Sequence, residues 1–262
     1  MTYFIALLCL SLASFANATA TKISSPANVE SLRYTIIAEH SHKSSLFTEG
    51  LFINNGLFYE SSGRYGKSLL VTYPVTETEK TSSIFRQKKI LPEQYFAEGL
   101  TKLNDKIYQL TWKEATLFVY DAATLKLTNK LAYKGEGWGL TNDGKQLIRS
   151  DGSNTLFFHN TTNFAVEKTI SVKLGQQPIN NLNELEYAEG YLWANIWQDN
   201  RILKINPATG DVVGIVDLSS LRQSLHLSDP ESVLNGIAYD AERKGFWVTG
   251  KLWPKMFLLT FM

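Results

Sequence analysis

Cysteine is almost absent from this chain of 262 residues, since Cys9 is the only one. Cys9 falls in an apolar amino-terminal segment, so the remainder of the chain has no thiol for a disulfide, a nucleophile or a metal ligand. Histidine is also scarce, and the only close pair, His40 and His42, lacks the spacing of a zinc site. We therefore expect no metal site and no cofactor.

Charge of one sign is never concentrated along the chain. The 26 Lys and Arg residues nearly balance the 25 Asp and Glu residues, which leaves a formal net charge of +1. A protein without a basic stretch has no electrostatic basis for binding nucleic acid or an acidic membrane surface. We expect neither partner.

Long hydrophobic runs are missing after the first residues. Residues 1–18, MTYFIALLCLSLASFANA, are apolar and end in Ala-Asn-Ala, which is typical of a secretory signal peptide. The segment lacks the usual basic start, so a retained anchor stays open as the alternative, although serines interrupt the run and it is short for a membrane span. The sequence predicts a secreted or periplasmic protein, with a signal peptide at 1–18 and an amino-terminal segment carrying a first outer strand at 19–46.

Sustained helical periodicity is rare as well, and SSLRQSL at 219–225 is the best helical candidate. Most of the chain consists of short alternating runs separated by turn residues, which predicts strands and hairpins. Five hairpins align with one another at intervals of about 40–50 residues. They are EGLFINNGLFYESSG from Glu49, EGLTKLNDKIYQLTW from Glu98, WGLTNDGKQLIRSDG from Trp138, NELEYAEGYLWANIW from Asn183 and NGIAYDAERKGFWVTGK from Asn235.

A second hairpin lies between the repeats, in VYDAATLKL, FHNTTNFAV and KINPATGDV. Two hairpins per repeat give four strands, which is the content of one β-propeller blade. The sequence therefore predicts an all-β, five-bladed propeller that forms one domain over residues 47–262. A β-sandwich would explain the turns but not the five-fold register.

Equivalent positions of the repeats hold polar or aromatic side chains. In a propeller the innermost strands surround a central channel, so these positions are expected to meet at one mouth of it. Carboxylates, amides and indoles around a concavity suit a small molecule or a peptide end. The column that opens the repeats contains Glu49, Glu98, Trp138, Asn183 and Asn235, and the column that ends them contains Trp112, Gly152, Trp197 and Lys251.

Several long strings resemble the plant- and bacterial-type glutaminyl-peptide cyclotransferases, and the resemblance runs from about residue 47 to the end. These strings are YESSGRYGKSLL, FAEGLTKLNDKIYQLTW, GEGWGLTNDGKQLIRSDGS, LNELEYAEGYLWANIWQ, INPATGDVVG and LNGIAYD followed by FWVTGKLWP. The family has a five-bladed propeller fold. The resemblance implies that the chain is an acyltransferase that closes the amino-terminal glutamine of peptides or proteins to pyroglutamate, with release of ammonia.

The resemblance also implies roles for particular residues. Glu98 matches the catalytic glutamate, expected to shuttle the proton, and Asn183 matches the asparagine that holds the oxyanion. Trp112, Trp138 and Trp197 match the aromatic walls of the substrate pocket. Lys251 matches a lysine that lines the site.

The roles of the other acidic residues are less defined by the sequence. Glu49 occupies a position where the family carries Gln or Glu, and it either binds the substrate ammonium or belongs to the acid–base system. Glu184 is predicted to line the ring and contact substrate. Glu136 and Glu186 stay candidates for the site or for structural roles.

Three other functions compete with this interpretation. A non-catalytic propeller that binds a peptide terminus or small ligand would not need Glu98 together with Asn183 and the tryptophans. A calcium-dependent lactonase would use carboxylates such as Glu49 and Glu98 as ligands, but such propellers usually have six repeats. A serine hydrolase is disfavoured because the chain has no G-x-S-x-G motif. Because a closed propeller leaves few strand edges unpaired, we expect a monomer.

Overall fold

The computed structural model describes residues 29–76 and 85–262. The predicted signal peptide at 1–18, with Cys9, lies outside the described residues. The described part contains 23 strands and one short helix. Nearly all of its secondary structure is therefore β, as the sequence predicted.

Five larger sheets and one two-stranded sheet make up the described residues, and in four of the five larger sheets four consecutive antiparallel strands run from the inside outwards. We number the larger sheets as blades 1 to 5. Two strands precede the repeats, β1 (Glu30–Leu32) and β2 (Tyr34–Ser41), and blade 1 has β3 (Thr48–Asn54), β4 (Leu57–Ser62), β5 (Leu69–Pro74) and β6 (Gln87–Ile90). Blade 2 has β7 (Ala97–Leu103), β8 (Lys106–Thr111), β9 (Thr116–Asp121) and β10 (Leu127–Ala132), and blade 3 has β11 (Leu140–Asn142), β12 (Leu147–Arg149), β13 (Thr155–His159) and β14 (Val166–Ser171), followed by a small hairpin of β15 (Lys173–Leu174) and β16 (Gln177–Pro178). Blade 4 has β17 (Leu182–Ala188), β18 (Tyr191–Ile196), β19 (Arg201–Ile205) and β20 (Val212–Asp217), followed by α1 (Ser219–Ser224), and blade 5 has β21 (Leu234–Asp240), β22 (Gly245–Gly250) and β23 (Lys255–Phe261).

The amino-terminal strands complete the last two blades. Strand β2 pairs antiparallel with β23 and supplies the fourth, outermost strand of blade 5. Strand β1 adds to β20 in parallel and makes blade 4 five-stranded. A strand near the start of the described residues is thus joined to the last strand within one sheet, which closes the circle of blades. The five-bladed propeller predicted from the repeats is confirmed.

The inner strands form a closed ring around the axis. Strands β3, β7, β11, β17 and β21 each pack against the next, and β21 packs back against β3. The glycine at the start of a repeat permits this close approach, because a Cβ on Gly99 would lie 2.4 Å from the backbone nitrogen of Leu140 in the neighbouring blade. A side chain there would force the blades apart.

A β-bulge interrupts four of the five inner strands at the same point of the repeat. A bulge turns a side chain away from the regular alternation of the strand, and bulges are frequent next to active sites. Here the displaced residues are the polar ones that open the repeats. The shifts fall between Thr48 and Gly50, Ala97 and Leu100, Leu182 and Leu185, and Leu234 and Ile237, so they contain Glu49, Glu98, Asn183 and Asn235.

The hydrophobic core lies between neighbouring blades. Between blades 5 and 1, for example, the Trp247 and Phe58 rings meet edge to face with centroids 5.4 Å apart, and both side chains are buried. Each aromatic of this kind buries 150–250 Å² as a rough general figure, and edge-to-face pairs are favourable beyond that burial. The rigid packing between blades holds the inner strands, and with them the polar column, in place.

The turns of the inner hairpins follow the sequence signals. Asn55 and Gly56 both have positive φ, at 50° and 69°, as a two-residue type I′ turn requires. The five predicted inner hairpins correspond to β3–β4, β7–β8, β11–β12, β17–β18 and β21–β22. The predicted helix at 219–225 is present as α1. No helix within residues 29–76 and 85–262 is long and apolar enough to cross a membrane.

Candidate functional site

A cavity of about 430 Å³ opens where the bulged ends of the inner strands meet the ends of the inner hairpins. All five blades, with the segments that lead into and out of them, contribute to its lining. Of the eight site residues predicted from the sequence, seven line this cavity, and Glu184 does not. The lining residues are Phe47, Glu49, Arg64, Phe96, Glu98, Trp112, Trp138, Asn183, Trp197, Glu231 and Lys251.

Two carboxyl groups lie side by side at the cavity. Glu49 and Glu98 open neighbouring blades, are only 1% and 6% exposed, and are hydrogen-bonded to each other. The Nζ of Lys251 donates to Oε1 of Glu49 over 2.7 Å, and Nδ2 of Asn235 lies 3.4 Å from Oε2 of Glu49. Glu49 is therefore held on one side by a cation and an amide and on the other by a second carboxyl group.

The surroundings of the pair shift the pKa values of Glu49 and Glu98 to different extents. Burial raises the pKa of Glu98 well above its usual range, and the negative charge of Glu49 adds to that rise. Burial also raises the pKa of Glu49, but the Lys251 ammonium opposes the rise. Like charges this close do not both ionise readily. The surroundings therefore favour a single shared proton, with the protonated form favoured more strongly at Glu98 and the charged form supported at Glu49 by Lys251.

Asn183 forms another part of the cavity wall. Its backbone carbonyl accepts a hydrogen bond of 2.6 Å from the Ser150 hydroxyl, which fixes the bulge between blades 3 and 4. The side chain is 2% exposed, and its Oδ1 is buried without a hydrogen-bond partner among the described residues. An unpaired buried amide oxygen is costly, so an oxygen kept in this condition beside a cavity is suited to accept a hydrogen bond from a ligand.

Three indoles and two phenyl rings line the cavity. Oε2 of Glu136 accepts hydrogen bonds from Nε1 of Trp112 over 2.7 Å and from Nε1 of Trp138 over 3.0 Å. Trp138 meets Trp197 edge to face with ring centroids 5.9 Å apart, and Phe96 meets Trp112 at 5.6 Å. One carboxylate thus fixes two walls of the cavity, although Glu136 itself does not line it.

Two further features hold this aromatic wall. The backbone carbonyl of Glu136 accepts a short hydrogen bond from Nη1 of Arg149, whose guanidinium lies 4.4 Å from the Phe157 ring. Trp138 lies directly over Gly152, where φ is +80° and a Cβ would come within 2.7 Å of the indole. In the repeat alignment Gly152 holds the position that a tryptophan holds in two other repeats. Because Gly152 has no side chain, the indole of Trp138 fits there.

Glu184 and Glu186 lie outside this cavity. Glu184 is fully buried and accepts hydrogen bonds from the backbone N–H groups of Leu51 and Ile237, so it ties its own strand, β17, to β3 and β21. Glu186 lines a separate cavity of about 200 Å³ that shares no residue with the first. Burial raises the pKa of Glu186 to about 8. Neither carboxyl group reaches the pair formed by Glu49 and Glu98.

Four lining residues were not predicted. Phe47 and Phe96 occupy the same place two residues before Glu49 and Glu98, in FTEGL and FAEGL, so the repeat alignment contained the signal for them. Arg64 and Glu231 lie outside the repeated columns, and no pattern in the sequence indicated them. Within the described part of the chain, no three His, Cys, Asp or Glu side chains are grouped as ligands of a metal ion.

Comparison with known proteins gives one consistent result. The family model of the glutamine cyclotransferases matches residues 6–261. The chain is 36% identical over 226 residues to a glutaminyl-peptide cyclotransferase of Arabidopsis thaliana, a match covering 85% of this chain and 69% of that protein. The crystal structure of the glutaminyl cyclase of Myxococcus xanthus is similar with a TM-score of 0.82 and 37% identity, over 89% of this chain and 98% of the other.

Proposed function

The chain belongs to the glutamine cyclotransferase family of acyltransferases, and we propose that it closes the amino-terminal glutamine of peptides to pyroglutamate by means of the proton shared by Glu98 and Glu49. The single observation that carries this mechanism is the buried, hydrogen-bonded carboxyl pair with Lys251 on the Glu49 side. A pair that holds one proton contains an acid and a base in the same place. Cyclisation by loss of ammonia needs both.

The reaction is the attack of the α-amine of glutamine on its own side-chain carbonyl carbon. The α-amine of a peptide has a pKa of about 8, so part of the substrate is present as the nucleophilic neutral amine. When the new C–N bond forms, the attacking nitrogen passes a proton to the carboxylate of the pair. The carboxyl of Glu98 gives its proton to the amide nitrogen, the old C–N bond breaks, and ammonia leaves. The pair holds one proton before and after the reaction.

The carbonyl oxygen becomes an oxyanion when the amine attacks. We assign the amide of Asn183 to this oxygen, because its Nδ2 is the only hydrogen-bond donor of that side chain and Asn183 lines the cavity. A single donor to such an oxyanion is worth about 3 kcal/mol in transition-state stabilisation in other enzymes. Because Asn183 lies in a bulge of a strand and not in a loop, the sheet holds this donor in position.

The aromatic residues give the glutamine side chain its shape. Cyclisation requires the side chain to fold back on the α-amine, and holding that conformer removes an entropic part of the barrier. Trp112 and Trp138, both hydrogen-bonded to Glu136, line the cavity together with Trp197. They also exclude water, which would otherwise compete for the carbonyl.

The test is release of ammonia and formation of pyroglutamate from a short peptide that begins with Gln, followed by mass spectrometry. We expect wild-type protein to turn over with or without a chelator. Glu98→Gln should lower kcat by about 10²–10⁴-fold, the usual contribution of a positioned acid or base. Glu186→Gln serves as the matched control, because it makes the same change in the other cavity. No turnover by folded wild-type protein would refute the function and leave a binding propeller; equal loss in both variants would refute the role of Glu98.

The location of the protein determines which peptides it can meet. We propose that residues 1–18 are removed during export and that the mature monomer acts on peptides outside the cytoplasm. Amino-terminal sequencing of the exported protein and its mass in solution test the two statements. A mature chain that retains residue 1, or that runs as a dimer, would contradict them.

A further inference from the structure

The positively charged side chain of Arg64 lies at the mouth of the cavity, further out than the proposed catalytic residues. The guanidinium of Arg64 lies 4.4 Å from the centre of the Phe47 ring and lines the cavity. Its Nη2 donates to Oε2 of Glu231 over 2.7 Å, and the two side chains are 37% and 61% exposed. The mechanism above uses neither residue.

The backbone holds Arg64 in an unusual conformation. Its φ is 106°, a region that residues with a Cβ rarely adopt and that is most often found at functional sites. The carbonyl of Arg64 accepts hydrogen bonds from the N–H of Lys67 over 3.0 Å and from the hydroxyl of Ser68 over 2.9 Å. The same Ser68 oxygen accepts from the N–H of Ala97, the residue before Glu98. The loop that carries Arg64 is thus tied to the strand that carries Glu98.

Phe47 links Arg64 to the reactive centre. The Nζ of Lys251 lies 4.6 Å from the centre of the Phe47 ring, and the same Nζ binds Glu49. Arg64 therefore stands one side chain further out than the carboxyl pair. A peptide whose glutamine fills the cavity has to extend out of it, and Arg64 is one of the exposed lining residues within reach of its second residue.

The two members of the ion pair are not held equally well. The backbone carbonyls of both residues accept hydrogen bonds, but only the Arg64 side chain is also held by a ring, since its guanidinium stacks on Phe47. Glu231 lies on the irregular segment between α1 and β21, where its N–H binds Oδ1 of Asp229, and its carboxylate is the more exposed of the two. A carboxylate arriving with the substrate can take the place of Glu231, whereas the guanidinium stays where it is. Arginine favours such a partner because it binds carboxylates in a two-pronged geometry.

We propose that Arg64 is a specificity-determining residue that binds the carboxylate of an acidic residue directly after the amino-terminal glutamine, and that Glu231 is its competitor in the empty site. The proposal rests on the proposed function, since it concerns the peptide whose glutamine is cyclised. It predicts a preference for Gln-Glu and Gln-Asp peptides over Gln-Lys peptides. Removing the competitor should strengthen that preference, and removing the guanidinium should abolish it.

The experiment compares kcat/KM for three amidated peptides that differ only in the second residue, Gln-Glu, Gln-Ala and Gln-Lys. We expect wild-type protein to favour Gln-Glu. Arg64→Gln should lower kcat/KM for Gln-Glu at least tenfold relative to Gln-Ala, mainly through KM. Glu231→Gln should raise kcat/KM for Gln-Glu several-fold through a lower KM. Arg243→Gln is the matched control, because it breaks the Arg243–Asp240 ion pair at a different edge of the propeller.

The outcomes separate specificity from folding and from the underlying activity. An equal loss on all three peptides in Arg64→Gln would overturn the proposal, because it would assign Arg64 a structural role. Unchanged ratios in both variants would overturn it as well. The double variant Arg64→Glu with Glu231→Arg should favour Gln-Glu less than the wild type does, and a wild-type ratio there contradicts the proposal. Absence of turnover on every peptide by folded wild-type protein refutes the proposed function itself, which is a different result.

Discussion

Nζ of Lys251 donates to Oε1 of Glu49 over 2.7 Å and joins two residues that are 202 positions apart in the chain. Glu49 belongs to the first blade, and Lys251 follows the second strand of the last one. Their side chains are only 2% and 8% exposed, so the ion pair is buried. The contact that joins the first and last blades also favours the ionised form of both carboxyl groups, because the Lys251 ammonium opposes the rise in their pKa values.

Replacing Lys251 by Met should reduce activity and shift its dependence on pH. Lys251 opposes the rise in pKa of both Glu49 and Glu98, so without it both values rise further. The reaction needs one ionised member of the pair, so the acidic limb of kcat/KM should move to higher pH, with at least an approximately tenfold loss at neutral pH. A pH–rate profile of the variant against wild type measures the shift.

The same substitution should alter stability with a definite sign. The folded-state pKa of Glu49 lies above the value of 4.5 for the free group, so its contribution to stability is lost as pH rises above that value. In Lys251→Met the loss continues to higher pH, and breaking a buried pair typically costs about 3–5 kcal/mol. Lys255→Met is the control, because Lys255 pairs with Glu39 at the surface, where both are 49% exposed. Equal urea midpoints for the two variants would refute the buried pair.

Glu136→Gln should raise KM and leave kcat nearly unchanged. Oε2 of Glu136 accepts from both Trp112 and Trp138, and an amide holds the two indoles less firmly because its single oxygen is neutral. We expect KM to rise by about three- to tenfold. A hydrogen bond to a charged group is worth about 1.5–3 kcal/mol, and the neutral amide oxygen of Gln replaces part of that energy. Steady-state kinetics with tryptophan fluorescence measure the effect.

The control for this variant is Glu167→Gln. Glu167 also accepts two hydrogen bonds, from Gln146 and Asn160, but on an exposed strand. It should leave KM and fluorescence unchanged. If Glu136→Gln left KM and tryptophan fluorescence unchanged but shifted the pH dependence of kcat, Glu136 would belong to the proton-transfer system rather than to the walls.

The repeat made the fold predictable from the sequence, and the columns of the repeat made most of the site predictable. Glu49, Glu98 and Asn183 stand at equivalent positions, and the propeller brings equivalent positions together at its axis. Glu184 differs because it is the next residue after Asn183 in the same bulge. The bulge turns Asn183 towards the cavity and Glu184 towards the backbone N–H groups of Leu51 and Ile237, and no sequence pattern distinguishes the two.

Residues outside the repeat could not be predicted. Arg64 has no counterpart in the other blades, and its position depends on a backbone conformation that arginine rarely adopts. Glu231 lies on a segment without regular structure, which only tertiary contacts bring to the cavity. The function of Glu136 as a common acceptor for two indoles also depends on the distance between Trp112 and Trp138, which the sequence does not give.

Gly152→Ala should impair activity more than it impairs stability. Gly152 has a φ of +80°, and an added Cβ would lie 2.7 Å from the Trp138 ring, so the indole must shift. Gly144→Ala is the matched control: its φ is +85°, and no atom lies within 4 Å of the added Cβ. Both variants bear the cost of an alanine in a left-handed conformation, about 1 kcal/mol. Only Gly152→Ala should lower kcat/KM, by about tenfold or more because misplacement near the chemistry is costly. Equal kinetics in the two would show that Trp138 does not shape the pocket.

Glu186→Gln should flatten the pH dependence of stability without affecting turnover. Burial raises the pKa of Glu186 from 4.5 to about 8, so between these values the unfolded chain loses a proton that the folded protein keeps. Unfolding is therefore favoured increasingly as pH rises through this window, by up to about 1.4 kcal/mol per pH unit for one group. Glutamine removes this contribution, and because the Glu186 charge also raises the pKa of the buried Glu184, its loss weakens the pH dependence of that group in the same direction. Urea unfolding from pH 5 to pH 8, a range chosen to fall within the roughly 4.5–8 window, should thus give curves that diverge in favour of the variant. Parallel curves would mean that Glu186 is ionised in the folded protein. Loss of turnover would place Glu186 in the catalytic system, which its separate cavity argues against.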